Sequence, residues 1–103
     1  MSELFKLVHQ SIKKWKGVKA SATQNCIVYV AETTFLVARP MKSALDLKFY
    51  LTQPTDEFPV YKVDAWAGRF VHGIRLFEIS DVDEVVLKLL KQSYKEDIAR
   101  KKS

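Results

Sequence analysis

The stretch "ALDLKFYL", residues 44–51, alternates apolar and polar side chains without a break. Its apolar set is Leu45, Leu47, Phe49 and Leu51, and the residues between them are Asp46, Lys48 and Tyr50. Successive side chains of a strand point to opposite faces, so this pattern predicts a half-buried antiparallel strand. One face of the resulting sheet must be covered by other elements, while the other face meets water.

Strand-like segments continue through the middle of the chain, from residue 18 to residue 79. Short runs rich in β-branched and aromatic residues are separated by turn signals, which are "TQN", "ETT", "PMKS", "QPTDEFP" and "WAGR". Gly, Pro, Asn, Asp and Ser favour turns, whereas β-branched and aromatic residues favour strands. The middle of the chain therefore predicts five or six antiparallel strands.

Both ends of the chain show helical spacing instead. The apolar stripe of the first segment is Leu4, Leu7, Val8, Ile12 and Trp15, and that of the last segment is Val82, Val85, Val86, Leu89, Leu90 and Ile98. We expect Gly17 to end the first helix and Ser80 to cap the second. The sequence thus predicts an α+β fold, an antiparallel sheet of five or six strands flanked by an N-terminal and a C-terminal helix packed on one face.

Composition places the chain among ordinary globular proteins, because 48% of its 103 residues are hydrophobic and 28% are charged. Disordered chains have too few apolar side chains to offset the entropy lost on ordering. We expect a single domain over residues 1–103, with a core over about 4–98 and a frayed C-terminal tail. This size excludes an active-site cleft between two domains.

Cysteine usage and hydropathy bear on the compartment. Cys26 is the only cysteine, so neither an intrachain disulfide nor a cysteine-based zinc site can form. A reducing compartment suits such a chain. No run approaches the roughly eighteen apolar residues that cross a bilayer, and no secretory signal begins the chain. We therefore expect a cytoplasmic protein with no membrane part.

Two stretches of the chain resemble a widespread small domain of unknown function that often carries the label "predicted transport protein". They are "IVYVAETTFLVARPMKSALDLKFYL" and "RFVHGIRLFEISDVDEVVLKLLKQSYKE". The similar features are the segment from Tyr29 to Phe35, the turn with Pro40 and Lys42 before the Leu45 strand, the His72 strand, and the Ser80, Asp83 and Tyr94 pattern. The resemblance covers the chain from about Phe5 to Tyr94.

The resemblance implies an α+β domain that occurs alone or fused to other modules, including restriction-like nucleases. It implies no established activity, since its shared motifs are turn residues, core residues and a helix cap. The word "transport" does not describe chemistry here, because a chain without a membrane span cannot itself be a transporter.

His72 is the residue that most invites a catalytic interpretation. Alternation puts it on the same strand face as Phe70, Ile74 and Leu76, so we expect its ring at the edge of the core, hydrogen-bonded to backbone or to the helix that follows. A catalytic base needs a partner that orients it, and none is identifiable. The sequence predicts a structural histidine, with lining of a pocket as the alternative, and it predicts no catalytic residue, metal ligand or cofactor.

An enzymatic alternative rests on Glu32, Asp46 and Lys48. Two carboxylates and a lysine with similar spacing hold Mg²⁺ and stabilise charge in many metal-dependent nucleases. Such short patterns recur by chance, and a run of hairpins is not the usual setting for this chemistry. The simpler interpretation is a solvated strand face with alternating charges.

A third set of residues combines basic and aromatic side chains that we expect on the exposed sheet face. It contains Tyr29, Lys48, Tyr50, Lys62 and Arg75, to which Arg39 and Trp66 add. Such a face can follow a phosphate backbone and stack bases, and the net charge of +5 favours such partners. Cross-strand pairing for stability alone is the competing explanation.

From these residues we expect a non-enzymatic binding module whose partner is nucleic acid or a nucleic-acid-processing protein. The alternative is a protein interaction or homodimerisation domain that buries an edge strand or the same aromatic face. A small metal-dependent nuclease is a third, more remote hypothesis. The sequence does not identify the ligand.

Overall fold

The computed structural model of the chain describes residues 2–100. Its elements are α1 (Ser2–Lys13), β1 (Lys19–Ala22), β2 (Ile27–Val30), β3 (Thr34–Pro40), β4 (Leu45–Leu51), β5 (Val60–Trp66), β6 (Arg69–Leu76), the short 3₁₀ helix η1 (Ile79–Asp81) and α2 (Glu84–Arg100). The predicted α+β class is confirmed: six antiparallel strands form one sheet, accompanied by an N-terminal and a C-terminal helix. The predicted frayed tail comprises residues 99–103; Ala99 and Arg100 form the end of α2, and residues 101–103 lie outside the described residues.

The strand order in the sheet is β1-β2-β3-β4-β6-β5. Strand β6 therefore lies between β4 and β5, and the two edges of the sheet are β1 and β5. Across the centre, Leu47 of β4 faces Ala38 of β3 on one side and Ile74 of β6 on the other. Directly paired residues of neighbouring strands lie on the same face of a sheet. The inward and outward alternation of β4 therefore also holds for the paired residues of β3 and β6.

Both helices cover the face of the sheet to which Leu47 points. The buried core there is built from Leu4, Val8, Ile12, Val18, Tyr29, Phe35, Leu36, Ala38, Leu45, Leu47, Phe49, Leu51, Ile74, Leu76, Val86, Leu89, Leu90 and Tyr94. Trp15, just after α1, contacts Phe35 of β3 and Tyr94 of α2, and these two rings also contact each other, with centroids 5.3–6.3 Å apart. The apolar stripes predicted for the two helices thus supply the cover that the sheet requires.

The ends of the helices differ in part from the prediction. Helix α1 ends at Lys13, and Gly17, with φ of 80°, makes the turn into β1. Ser80 does not cap α2, so that prediction is wrong: it lies within η1, and the Asp83 carboxylate accepts the backbone N–H of Val86 at 3.0 Å. Serine and aspartate are both good capping residues. Because Ser80 is part of the 3₁₀ turn that precedes α2, Asp83 is the residue that caps the helix.

The loop of residues 52–59, between β4 and β5, is tied to the covered side of the sheet. Glu96 of α2 accepts the backbone N–H of Thr52 at 2.8 Å, and the ring of His72 accepts that of Thr55 at 3.0 Å. The Phe58–Pro59 peptide bond is cis. Among residues 2–100, no helix has both the length and the hydropathy that a membrane crossing needs.

Candidate functional site

The face of the sheet turned away from both helices, here called the outer face, concentrates the basic and aromatic side chains of the strands. On strands β3–β6, its basic residues are Arg39, Lys48, Lys62, Arg69 and Arg75, its acidic residues are Asp46 and Asp64, and its aromatic residues are Tyr50, Tyr61 and Trp66. The helices lie on the opposite face, so these side chains meet solvent or one another. The outer face is therefore cationic and partly aromatic.

A shallow depression of about 420 Å³ lies on the outer face. Of the residues that the sequence singled out for binding, six line this depression, and they are Arg39, Lys48, Tyr50, Lys62, Trp66 and Arg75. They come from β3, β4, β5 and β6, which the antiparallel register places side by side. The sheet thus brings together residues that are up to 36 positions apart in the chain.

Asp46 lies in the depression but is only 6% exposed, because two neighbours cover its carboxylate. The phenol of Tyr61 donates to Asp46 Oδ1 at 2.8 Å, and Arg75 Nε lies 3.5 Å from the same oxygen. Arg75 Nη2 also donates to the Tyr61 oxygen at 3.1 Å. The negative charge of Asp46 is therefore largely compensated within the face.

The phenol of Tyr61 keeps its proton in this arrangement. Burial, followed by the hydrogen bond to the Asp46 carboxylate, raises the pKa of Tyr61 above its ordinary value of 10.0, against the opposing effect of Arg75. The guanidinium carbon of Arg75 lies 4.8 Å from the centre of the Tyr61 ring. The three side chains form one fixed unit at the border of the depression.

Tyr61 was missed by the sequence analysis because of a break in strand pairing. Simple alternation would place it with Val63 on the covered face, but the register shifts between Val60 and Lys62. Such a β-bulge turns one extra residue toward the same face as its neighbour. Gly73 of β6, opposite the bulge, has no side chain, and the Tyr61 ring occupies that space.

Arg69 is the second outer-face residue that the sequence analysis missed. Its guanidinium carbon lies 4.6 Å above the centre of the Tyr50 ring, so one face of that ring is already covered. Trp66, by contrast, is 62% exposed. Trp66 is therefore the aromatic side chain of the depression most available for stacking on a planar ligand.

The remaining basic side chains of the depression are open to an anion. Within residues 2–100, neither Arg39 nor Lys48 has an ion pair, and both are exposed. Lys62 lies 3.6 Å from Asp64, but these side chains are 63% and 57% exposed. An exposed pair of this kind contributes about 0–1 kcal/mol, so a phosphate can compete for the lysine.

The prediction that Tyr29 lies on the exposed face of the sheet is wrong. It pairs with Leu36 on the covered face, has no exposed surface, and its oxygen lies 2.9 Å from His9 Nδ1 of α1. Burial raises the pKa of its phenol to about 12. A histidine on the covering helix gives this phenol a partner, so Tyr29 can be buried without an unpaired polar group.

His72 lies on the covered face and does not line the depression. Its ring stacks on Phe49 with centroids 5.2 Å apart, and Nε2 accepts the Thr55 N–H while Nδ1 donates to the Phe70 carbonyl at 3.0 Å. This pattern requires the neutral ring with its proton on Nδ1. Burial lowers the pKa of His72, in the direction of that neutral form.

The three residues of the nuclease hypothesis do not converge. Glu32 precedes β3, whereas Asp46 pairs with Arg39 near the other end of β3. The five residue steps of β3 from Thr34 to Arg39 alone span roughly 16 Å at about 3.3 Å per residue, so the two acids lie far apart. Within the described part of the chain, no three His, Cys, Asp or Glu side chains are placed to hold a metal ion.

Comparison with known protein families shows that the chain matches a family of uncharacterised domains. The family model described as "Domain of unknown function (DUF5655)" matches residues 1–96. No curated protein and no solved structure shows a significant match to the chain.

Proposed function

The chain belongs to the DUF5655 family, a family of domains of unknown function, and from that premise we propose that it is a non-enzymatic module that binds single-stranded nucleic acid. The observation that carries this proposal is the composition of the outer face. On strands β3–β6, five basic side chains and three aromatic rings share that face with two acids. One of these acids, Asp46, is compensated by Arg75 and Tyr61.

The chemistry of the depression suits a flexible strand. Proteins that bind single strands combine a cationic groove for phosphates with aromatic side chains on which bases stack. Lys48, Lys62 and Arg39 supply the cationic part of the depression, and Trp66 supplies an exposed ring. A duplex keeps its bases stacked inside and cannot use that ring, which favours single strands over double strands.

The test is a binding titration with charge reversals on the outer face. We expect labelled strands of about ten thymidines or uridines to bind the wild type. The double variant Lys48→Glu/Lys62→Glu should raise the dissociation constant about tenfold or more. Both lysines are exposed, so the variant should keep its fold. Fluorescence anisotropy measures the binding, and circular dichroism checks the fold.

A matched control separates a local site from the effect of net charge. Lys88→Glu/Lys95→Glu makes the same change of charge on α2, at two exposed lysines on the other side of the sheet. We expect this control to reduce affinity far less than the outer-face variant. Equal losses in the two variants would mean that binding is nonspecific, and the proposed site would then be abandoned.

The alternative of self-association has its own structural support. Strand β5 is an edge of the sheet, seven residues long, and it ends at the exposed Trp66. Unpaired backbone groups of an edge strand can pair with another chain. Light scattering would reveal a dimer that Trp66→Lys dissociates; a monomer at all concentrations would remove this alternative.

We also propose the cytoplasm as the compartment of this module. Cys26 is a free, partly exposed thiol, which a reducing environment preserves. Cell fractionation tests the proposal, and recovery of the protein from an oxidising compartment would contradict it.

A further inference from the structure

A second cavity adjoins the outer face. It is a groove of about 440 Å³ whose walls include Phe58, Pro59 and Phe77, and we call it the Phe58 groove. Phe58 is 85% exposed and Phe77 is 63% exposed, so both rings present apolar surface to solvent. Apolar surface gathered in one concave place is typical of binding sites rather than of a random surface.

The Phe58 groove adjoins the depression of the outer face. Tyr61 and Arg75 line both cavities. A strand that lies across Lys48 and Lys62 therefore meets the groove at its Arg75 border. One unit of the strand can enter the groove while its phosphate stays on the basic side.

The polar groups of the groove beyond Arg75 are mainly acceptors. Asp81 and Asp83 line the groove but not the depression. Asp81 Oδ2 accepts the N–H groups of Phe77 and Glu78, and Asp83 Oδ1 accepts that of Val86. Within residues 2–100, the second oxygen of each carboxylate has no hydrogen-bond partner. The groove thus suits phosphate less well than the basic depression does, and it offers acceptors to a group that donates hydrogen bonds.

We propose that the Phe58 groove receives one nucleobase of the bound strand and prefers guanine. This inference rests on the proposed binding of single strands by the outer face. The rings of Phe58 and Phe77 offer stacking surface for a planar base. Guanine presents two adjacent N–H donors on its pairing edge, whereas adenine and cytosine place an acceptor beside their amino group and thymine has one donor between two carbonyls. Among the four bases, only guanine can therefore donate two adjacent N–H groups to the carboxylates of Asp81 and Asp83 that line the groove.

The experiment compares strands that differ in one base. A strand of about ten thymidines is titrated beside strands in which one central thymidine is replaced by guanosine, adenosine or cytidine. We expect the guanosine strand to bind about fivefold to tenfold more tightly than the others, the range given by one stacked and hydrogen-bonded base. Anisotropy of a terminal fluorophore supplies the dissociation constants.

Two variants assign the preference to the groove. Asp83→Asn keeps an oxygen for the Val86 N–H but replaces an acceptor with a donor, and Phe58→Ala removes an exposed wall that contributes little to the core. We expect both to lose the guanosine preference, so that in each variant the guanosine strand and the plain thymidine strand bind with equal affinity. Asp56→Asn, the same chemical change at an exposed loop position that does not line the groove, should keep it.

The outcomes separate this inference from the proposed function. Equal affinity for all four strands overturns the guanine site and leaves the outer-face proposal standing. Failure of every strand to bind overturns both. Saturable binding of a short peptide of alternating lysine and leucine, lost in Phe58→Ala and seen without a guanosine preference, would make the groove a protein site and overturn the inference.

Discussion

The ring of Tyr61 lies over Gly73, with two ring carbons 3.2 Å from the place that a Cβ atom of residue 73 would occupy. The bulge in β5 puts the ring there, and the missing side chain gives it room. From this position the Tyr61 phenol reaches Asp46 at 2.8 Å. Because Gly73 has no side chain, the ring of Tyr61 can take the position from which it covers the carboxylate of Asp46.

A larger residue at position 73 should displace that ring. We expect Gly73→Val to lower the free energy of unfolding by about 1–3 kcal/mol, because two side chains then compete for one space. In a Tyr61→Ala background the same substitution should cost clearly less, since the competitor is gone. Urea unfolding of the four proteins completes the double-mutant cycle. An equal cost in both backgrounds would show that the ring contact is not the cause.

The turn beside Trp66 offers a stabilising substitution. Ala67 has φ of 49° and Gly68 has φ of 82°, so both central residues of this two-residue hairpin turn are left-handed. Asparagine tolerates that conformation better than alanine, and the Asn-Gly pair is the preferred sequence for such a turn. We expect Ala67→Asn to raise the free energy of unfolding by about 0.5–1 kcal/mol. Ala65→Asn, in the strand, should bring no gain, and a gain there equal to that at position 67 would refute the turn argument.

Asp97 of α2 fastens the β2–β3 turn to the helix. It is 1% exposed, and its carboxylate accepts the N–H groups of Glu32 and Thr33 as well as the Thr33 hydroxyl. Asp97→Ala leaves these donors without their acceptor, and we expect a loss on the order of 3 kcal/mol. Thermal and urea unfolding measure it, with the exposed Asp56→Ala as the control. A decrease in the free energy of unfolding below about 0.5 kcal/mol, the size of a neutral surface change, would contradict a stabilising role for these hydrogen bonds.

His72 should make stability depend on pH just below neutrality. Burial lowers its pKa in the folded chain from the ordinary 6.5, so the unfolded chain binds a proton more readily in that range. Its contribution is therefore complete above about pH 6.5 and decreases as the pH falls through the folded pKa. We expect an NMR titration to give a pKa below the ordinary value. His72→Gln should lose less stability than the wild type between about pH 7.5 and about pH 5.5. A folded pKa at or above the ordinary value would contradict the neutral ring bonded to Thr55.

Much of the fold followed from the alternation of residues 44–51. That pattern is a direct consequence of strand geometry, so it correctly predicted which side of β4 is covered. The helical stripes at the two ends then had only one apolar face to cover. These predictions succeeded because each rests on a single period and on no knowledge of which strands pair.

The wrong and missed assignments concern side chains whose direction depends on strand pairing and packing rather than on the local sequence. In β2 the run "IVYV" is apolar on both faces, so the sequence could not indicate that Tyr29 points inward to His9. Tyr61 was missed because a bulge reverses the alternation, and bulges have no clear local signature when the glycine lies on the partner strand. Arg69 was overlooked within the turn signal "WAGR", although alternation from Val71 places it on the outer face.

The salt dependence of binding tests the central claim most directly, because it counts the phosphates that the outer face contacts. For a thymidine strand we predict that the logarithm of affinity falls with the logarithm of salt with a slope of roughly −2 to −3, as three or four cations require. In Lys48→Glu/Lys62→Glu the slope should shrink in magnitude by about 1 to 1.5. A slope near zero, or the same slope in the wild type and the variant, would contradict an outer face that binds nucleic acid.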